Sequence, residues 1–322
     1  AYATGNTQLT KMADKVNQLS GTFQILPDFL GSDQPRTYAL MAMTTSEERS
    51  SGGLIGSVGV VTTDNGKISI GDFRSNGEYI PYGAGDPTED EQRIFQQWGP
   101  LNMSFDVRDL AVYPDTSRSA EGMRAIWQRT PWGSNTQLDG VLMVDPVFLQ
   151  ELTKISGNVT IPDGTVLTGD NTAEFLLNKV YVDYPVSMQD ALFAQVAEQT
   201  VGSMFSNVDL AKLTKVAQLM GSMAEGRHFS MYAFDETAEK TISDAGFTAQ
   251  TPSSEEHPQV GVYVTEQNPS KMGWYIHRTS KVTRSTCGND GSQTYHVEYK
   301  MTNTLENSQI GALTSYILGS GG

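Results

Sequence analysis

Arginine is the residue type whose placement here most suggests chemistry. Arg49, Arg74, Arg108, Arg118, Arg124 and Arg129 all fall near expected strand ends or helix starts in the first half of a chain that has 22 lysines and arginines against 37 aspartates and glutamates. A guanidinium grips phosphate or carboxylate through two parallel hydrogen bonds, so several converging arginines would make an anion site that opposes the field of the whole molecule. The plainer alternative is that each pairs with a nearby acid such as Glu47, Asp72 or Asp106. The stretch "EERSSGGLIG" sets this choice most sharply, with Glu47, Glu48 and Arg49 just ahead of Gly52 and Gly53. The double glycine suits a place where backbones pass closely. Arg49 and Glu47 are harder to explain as the mere start of a strand.

Other constellations are weaker. Glu89, Asp90 and Glu91, and then Asp106 and Asp109, supply carboxylate pairs of the kind a glycosidase uses, but their separation in space is not written in the sequence. His228, His257, His277 and His296 are far apart and form no HxxxH, HExxH or HxH arrangement, so a metal site or a Ser-His-Asp relay would need tertiary assembly. No G-x-S-x-G elbow, Walker loop or GxGxxG is present. Cys287 is the single cysteine, which excludes an internal disulfide and a multi-cysteine zinc site. The formal charge of -15 disfavours phosphate backbones and anionic lipid as partners, so nucleic acid is not expected. No run of apolar residues is long enough to span a bilayer.

The elements that must position these residues follow from periodicity. "QLTKMADKVNQLS" (8 to 20) carries apolar residues at helical spacing and reads as the end of a stalk. "RTYALMAMTT" (36 to 45) and "LIGSVGVVTTDNGKISIGDF" (54 to 73) read as strands, with Asp64, Asn65 and Gly66 as a hairpin turn. Residues 75 to 109 form a long irregular excursion. A helix follows at 117 to 129, capped by Ser117 or Ser119, then a strand at 139 to 145 and a helix at 146 to 156 between Pro146 and Gly157. Further helices are expected at 170 to 184, 187 to 206 and 209 to 226, a strand at 228 to 234, and a helix at 235 to 246 running from Asp235 to Gly246. After a linker at 248 to 258, "QVGVYVTEQ", "MGWYIHRTSKVTRST" and "QTYHVEYKMTNT" alternate as strands.

The stretch from Glu47 to Phe73 resembles the domain of unknown function 4012 family, whose signature runs approximately N-A-E-L-R-P-T-G-G-F-I-G; Glu47, Arg49, Gly52, Gly53, Ile55 and Gly56 fit it, while Thr44, Thr45 and Ser46 depart. The resemblance continues through "YPDTSRSAEGMRAIWQR", "LDGVLMVDPVFLQELTKISGNVTIPDG", "GRHFSMYAFDETAEKTISDAGF" and "TEQNPSKMGWYIHRT". It implies an envelope protein of a Gram-positive bacterium, held outside the cell by an upstream transmembrane anchor. A more distant resemblance, through residues 138 to 183, is to the LytR-CpsA-Psr fold, whose members transfer glycopolymers from polyprenyl pyrophosphate. By that analogy Arg49 and Arg74 stand where phosphate-gripping arginines belong, yet Lys179 is the only cation between Asp170 and Lys212, where further arginines are expected.

These readings combine into one expectation. Residues 1–33 form a stalk helix and linker. Residues 34–247 form an α/β domain with a mixed sheet sandwiched by helices. Residues 259–322 form a small β-rich module, either packed on that domain or opening a β-sandwich. The expected function is an extracellular envelope protein that binds a surface glycan or glycolipid, using an aromatic-lined cleft drawn from Tyr79, Tyr82, Trp98, Tyr113, Trp127 or Trp132. The candidate ligand-binding residues are Arg49, Arg74, Arg108, Arg118, Asp72 and Asp106, with Glu47, Gly52 and Gly53 as a structural signature. No resident metal or cofactor is expected. One alternative is a glycopolymer phosphotransferase with the arginines on pyrophosphate and magnesium or a base at Asp72, Asp106 or Asp109. The other is a two-carboxylate glycoside hydrolase.

Overall fold

In the computed structural model of the protein, residues 16–17, 20–97, 101–204, 210–254 and 259–319 are described. The stalk helix expected over 8 to 20 lies outside them except for residues 16, 17 and 20, and Trp98 lies outside them as well. The chain runs through helix α1 (20–29), strands β1 (Arg36–Arg49), β2 (Gly52–Asp64), β3 (Lys67–Ile70) and β4 (Arg74–Ser75), and helix α2 (Thr116–Arg129). Strand β5 (Gly140–Val144), helix α3 (Pro146–Ser156), strands β6 (Val159–Thr160) and β7 (Val166–Leu167), and helices α4 (Val186–Met204) and α5 (Leu210–Glu225) follow. The remainder is β8 (Phe229–Ala233), α6 (Glu236–Asp244), β9 (Ile276–Cys287) and β10 (Gln293–Asn303). No described helix is long and apolar enough to cross a membrane.

The main sheet has the order β3-β2-β1-β5-β8, with β4 on the flank of β2. β5 is parallel to β1, while the other neighbours are antiparallel, so the sheet is mixed, as expected. Alternation along β1 sends Tyr38 and Leu40 to one face and Ala39, Met41 and Met43 to the other, each face with its own apolar cluster. On the first face α1, α3, α4, α5 and α6 supply residues such as Phe29, Leu152, Val196, Val216 and Ile242; on the second, α2 and the 103–112 segment supply Met123, Ile126, Trp127, Phe105 and Leu110. All five residues of β5 are buried, the consequence of a central strand covered on both sides.

Local chemistry explains the boundaries. Asn65 and Gly66 take φ of 46° and 82°, the mirror-image turn that suits the twist of a two-residue hairpin. Asp145 caps α3 by accepting from the amides of Val147 and Phe148, and Gly157 ends it. Asp235 caps α6 in the same way. The cap of α2 is Asp115, not Ser117 or Ser119; the Ser119 hydroxyl instead donates to the Leu110 carbonyl in the core. The 170 to 184 stretch is helical but interrupted by a π-turn at Phe175–Lys179.

Two expectations about the strands are corrected. β1 runs on through the charged triplet to Arg49, so Glu47, Glu48 and Arg49 close one strand, and Ser50 and Ser51 make the turn into the next. Residues 259–267 form no strand, because they meet no partner along their length beyond isolated bonds such as Glu266 N–H to the Glu48 carbonyl, and Val260 and Val262 stay exposed. β9 and β10 do pair, as a two-stranded ribbon exposed along nearly its whole length.

Candidate functional site

β1 does not pair smoothly at its carboxyl end. Thr44 faces Leu54 and Glu48 faces Gly53, so Thr45, Ser46 and Glu47 bulge out between two consecutive partners on β2. The bulge explains the double glycine. A Cβ on Gly53 would sit 2.0 Å from the Thr44 carbonyl oxygen, and Gly52 has a φ of +145°.

The bulge also turns Glu47 into the interior beside Arg49, and both are buried. Arg49 donates from Nε to Asp109 Oδ1 at 2.9 Å, from Nη1 to the Glu48 carbonyl at 2.9 Å and from Nη2 to Glu47 Oε1 at 3.2 Å. The other Glu47 oxygen takes the Lys271 ammonium at 2.6 Å, and Asp109 Oδ2 accepts the backbone amide and hydroxyl of Ser104, each at 2.8 Å. Lys271 lies over the rings of Tyr181 and Tyr316. The result is a buried chain of charges, Lys271–Glu47–Arg49–Asp109, in which every member has an opposite partner. Beside it Glu48 pairs with Arg278 at 2.9 Å, and burial raises the Glu48 carboxyl above the usual range. Burial likewise raises Glu266, which accepts from the Ser270 hydroxyl and the Glu48 amide.

The remaining candidates do not converge on this point as an anion grip. Arg108 forks onto Asp106, Arg118 onto Glu91, and Arg74 pairs with Glu78 while stacking on Trp132. Arg129 pairs with Asp86, and Arg124 lies over Phe234. Asp72 is exposed in the turn between β3 and β4. Asp106 and Asp109 are taken up by arginine, serine and amide donors, and no group of three metal-ligating side chains forms among the described residues, so Asp72, Asp106 and Asp109 do not fit a magnesium site. The carboxylates of the excursion are also engaged, Asp90 by Arg93 and Glu91 by Arg118.

What the structure does place at the carboxyl ends of the two parallel strands is a cleft of about 510 Å³, a position where open α/β sheets commonly bind ligands. One wall is the β1–β2 corner, with Thr45, Ser46, Arg49 and Ser50; another is Asp145 at the end of β5; a third is Gly226, Arg227 and His228 leading into β8. The ribbon and the turn before it close the cleft with Trp274, Arg278 and Tyr299. Trp274 and Tyr299 are 37% and 36% exposed, so each keeps accessible surface. The expected aromatics are placed otherwise: Tyr79 and Trp127 are core, and Tyr82 and Trp132 stack edge to face on the opposite side of the sheet.

Sequence reasoning missed His228. Its Nδ1 lies 2.7 Å from Asp145 Oδ2, and that hydrogen bond raises the imidazole above its ordinary value. Asp145 is buried and also caps α3, so its carboxylate is fixed from two directions. The partners are 83 residues apart, so no local spacing advertised them. The only signal was that each ends or begins a core strand at the same edge of the sheet.

Comparison with solved structures finds distant matches. One from Bacillus subtilis, described as the transcriptional regulator yvhJ, shares 12% identity over 83% of this chain and 90% of that one, with a TM-score of 0.29. The Lin1025 protein of Listeria innocua shares 8% over 82% and 91%, at 0.32. B. subtilis TagV, a protein of the LytR-CpsA-Psr type, shares 13% over 67% and 81%, at 0.32. No curated protein matches the chain. From just before β1 to Tyr181, residues 33–181 match the model of the family described as "Protein of unknown function (DUF4012)", the family whose signature the β1–β2 corner resembles.

Proposed function

We propose that this chain is an extracellular cell-envelope protein of a Gram-positive bacterium, held at the membrane by an upstream anchor, and that it binds a surface glycan or glycolipid in the cleft at the ends of β1 and β5. The observation that carries this reading is the lining of the cleft. The partly exposed Trp274 and Tyr299 line the same cleft as the hydroxyl-bearing Thr45 and Ser50, the combination of aromatic rings with hydrogen-bonding groups that sugar rings use. The phosphotransferase reading is less well supported, because Arg49, Arg74, Arg108 and Arg118 each already hold a protein carboxylate and a pyrophosphate would have to displace it. The hydrolase reading is not helped by the excursion, where Asp90 and Glu91 are engaged by Arg93 and Arg118.

Calorimetric titration with neutral chitohexaose and acidic oligogalacturonate tests the proposal. Binding of at least one is expected, weakened about tenfold or more by Trp274→Ala, a loss of about 1.4 kcal/mol. Absence of binding to both, or binding that Trp274→Ala leaves unchanged, would count against it.

A further inference from the structure

Arg227 differs from the other cations of the cleft. Arg49 and Arg278 are neutralised by Glu47, Asp109 and Glu48. Arg227 has no acidic partner among the described residues. It is steadied by neutral groups, the carbonyls of Pro114 and Gln250 at 3.3 and 2.8 Å and the ring of Tyr263, which leave part of its donor set unused. Its backbone has a φ of +59°, a region where glycine is the easy choice and a long side chain is uncommon. The next residue is His228, and a Cβ on Gly226 would come within 2.9 Å of its ring, so the glycine leaves the imidazole the room it occupies. With Nδ1–H donated to Asp145, His228 keeps Nε2 without a protein partner among the described residues, on a side chain 34% exposed at the cleft wall. Arg227, with no acidic partner among the described residues, and the oriented imidazole of His228 thus line the same cleft.

Resting on the glycan-binding reading, we infer that the ligand is a glycan carrying singly charged oxyanions, a uronate carboxylate or a backbone phosphodiester, and that one such group seats against both Arg227 and His228 Nε2. With the His228 imidazolium balanced by Asp145, Arg227 supplies one net positive charge to match a single negative one, and a pyrophosphate would remain under-neutralised. Neutral His228 offers only a lone pair at Nε2, which repels an oxyanion, whereas the imidazolium offers an N–H. Seating the anion therefore takes up a proton on His228. The hydrogen bond to Asp145 and the charges of Asp145 and Glu151 favour the charged ring, burial opposes it, and the cations lining the same cleft are Arg49, Arg227 and Arg278.

The test is calorimetry with three probes, oligogalacturonate, a glycerol-phosphate oligomer and neutral chitohexaose, at about pH 5.5 and about pH 8. One acidic probe should bind more tightly than chitohexaose, and the acidic arm that binds identifies the oxyanion. Affinity should fall as pH rises through the His228 value, by up to about tenfold per unit above it. Arg227→Gly, which suits the left-handed backbone, should weaken the acidic probe about tenfold or more. His228→Gln should abolish the pH dependence. Chitohexaose binding as tightly as either acidic probe would overturn this inference and leave the glycan reading standing, as would acidic binding that Arg227→Gly or His228→Gln does not change. Binding of none of the three would overturn both.

Discussion

Arg49 is the residue most exposed to misreading, because its family-like position suggests a ligand contact while its bonds hold the fold together. Arg49→Ala would leave buried Asp109 and one oxygen of Glu47 without their arginine, and removing one partner from a buried ion pair typically costs about 3–5 kcal/mol. A loss of that size in the unfolding free energy from urea titration is expected, and a change under about 1 kcal/mol would contradict the network. Gly53→Ala should be similarly severe, since its Cβ would collide with a carbonyl oxygen, whereas Gly66→Ala meets open space and strains only its φ of +82°. His228 adds a pH term. Its raised value means that its contribution is fully present below the ordinary histidine value of about 6.5 and is lost as pH rises through the folded value. Asp145→Asn, which can still accept from the α3 amides, should flatten that pH dependence of the unfolding midpoint. At this scale the sequence made Glu47 and Arg49 conspicuous, but Asp109 is 60 residues from Arg49 and Lys271 is 224 from Glu47, so their partners became visible only through the fold.

Elements with their own punctuation were legible. Pro146 and Gly157 bounded α3, Asp235 and Gly246 bounded α6, and Asp-Asn-Gly made its turn, because each depends on local backbone chemistry alone. The bulge in β1 was not legible, since a period of two continues on either side of it and nothing local marks the three residues it expels. Nor was the failure of 259–267 to become a strand: alternation supplies a face, but a strand needs a neighbour. The turn at Met272–Tyr275 is held onto the end of β1 by Lys271, whose ammonium reaches Glu47 and whose amide bonds the Ile317 carbonyl. Lys271→Met should therefore lower hydrogen-exchange protection across 270–319 while leaving β5 and β8 protected. Equal loss in β5 and β8 would mean that this contact does not act locally.

Across the whole molecule the charge of -15 opposes Arg227, the cleft arginine without an acidic partner among the described residues. An acidic glycan must approach against that field, so its association rate should rise between about 20 mM and about 200 mM salt, where screening shortens the repulsion before it reaches a contact as close as Arg227. A rate that falls instead would indicate that a more extended basic surface receives the ligand. The mixed sheet sets where such a ligand can sit, because only β1 and β5 run parallel and only their shared end gathers the bulge, the cap of α3 and the ribbon wall. The most direct measurement of this account is hydrogen exchange on the intact chain with and without saturating oligogalacturonate. Added protection is predicted at 45–52, 226–228 and 274–278. Protection confined to other segments, with these three unchanged, would contradict the cleft as the binding site.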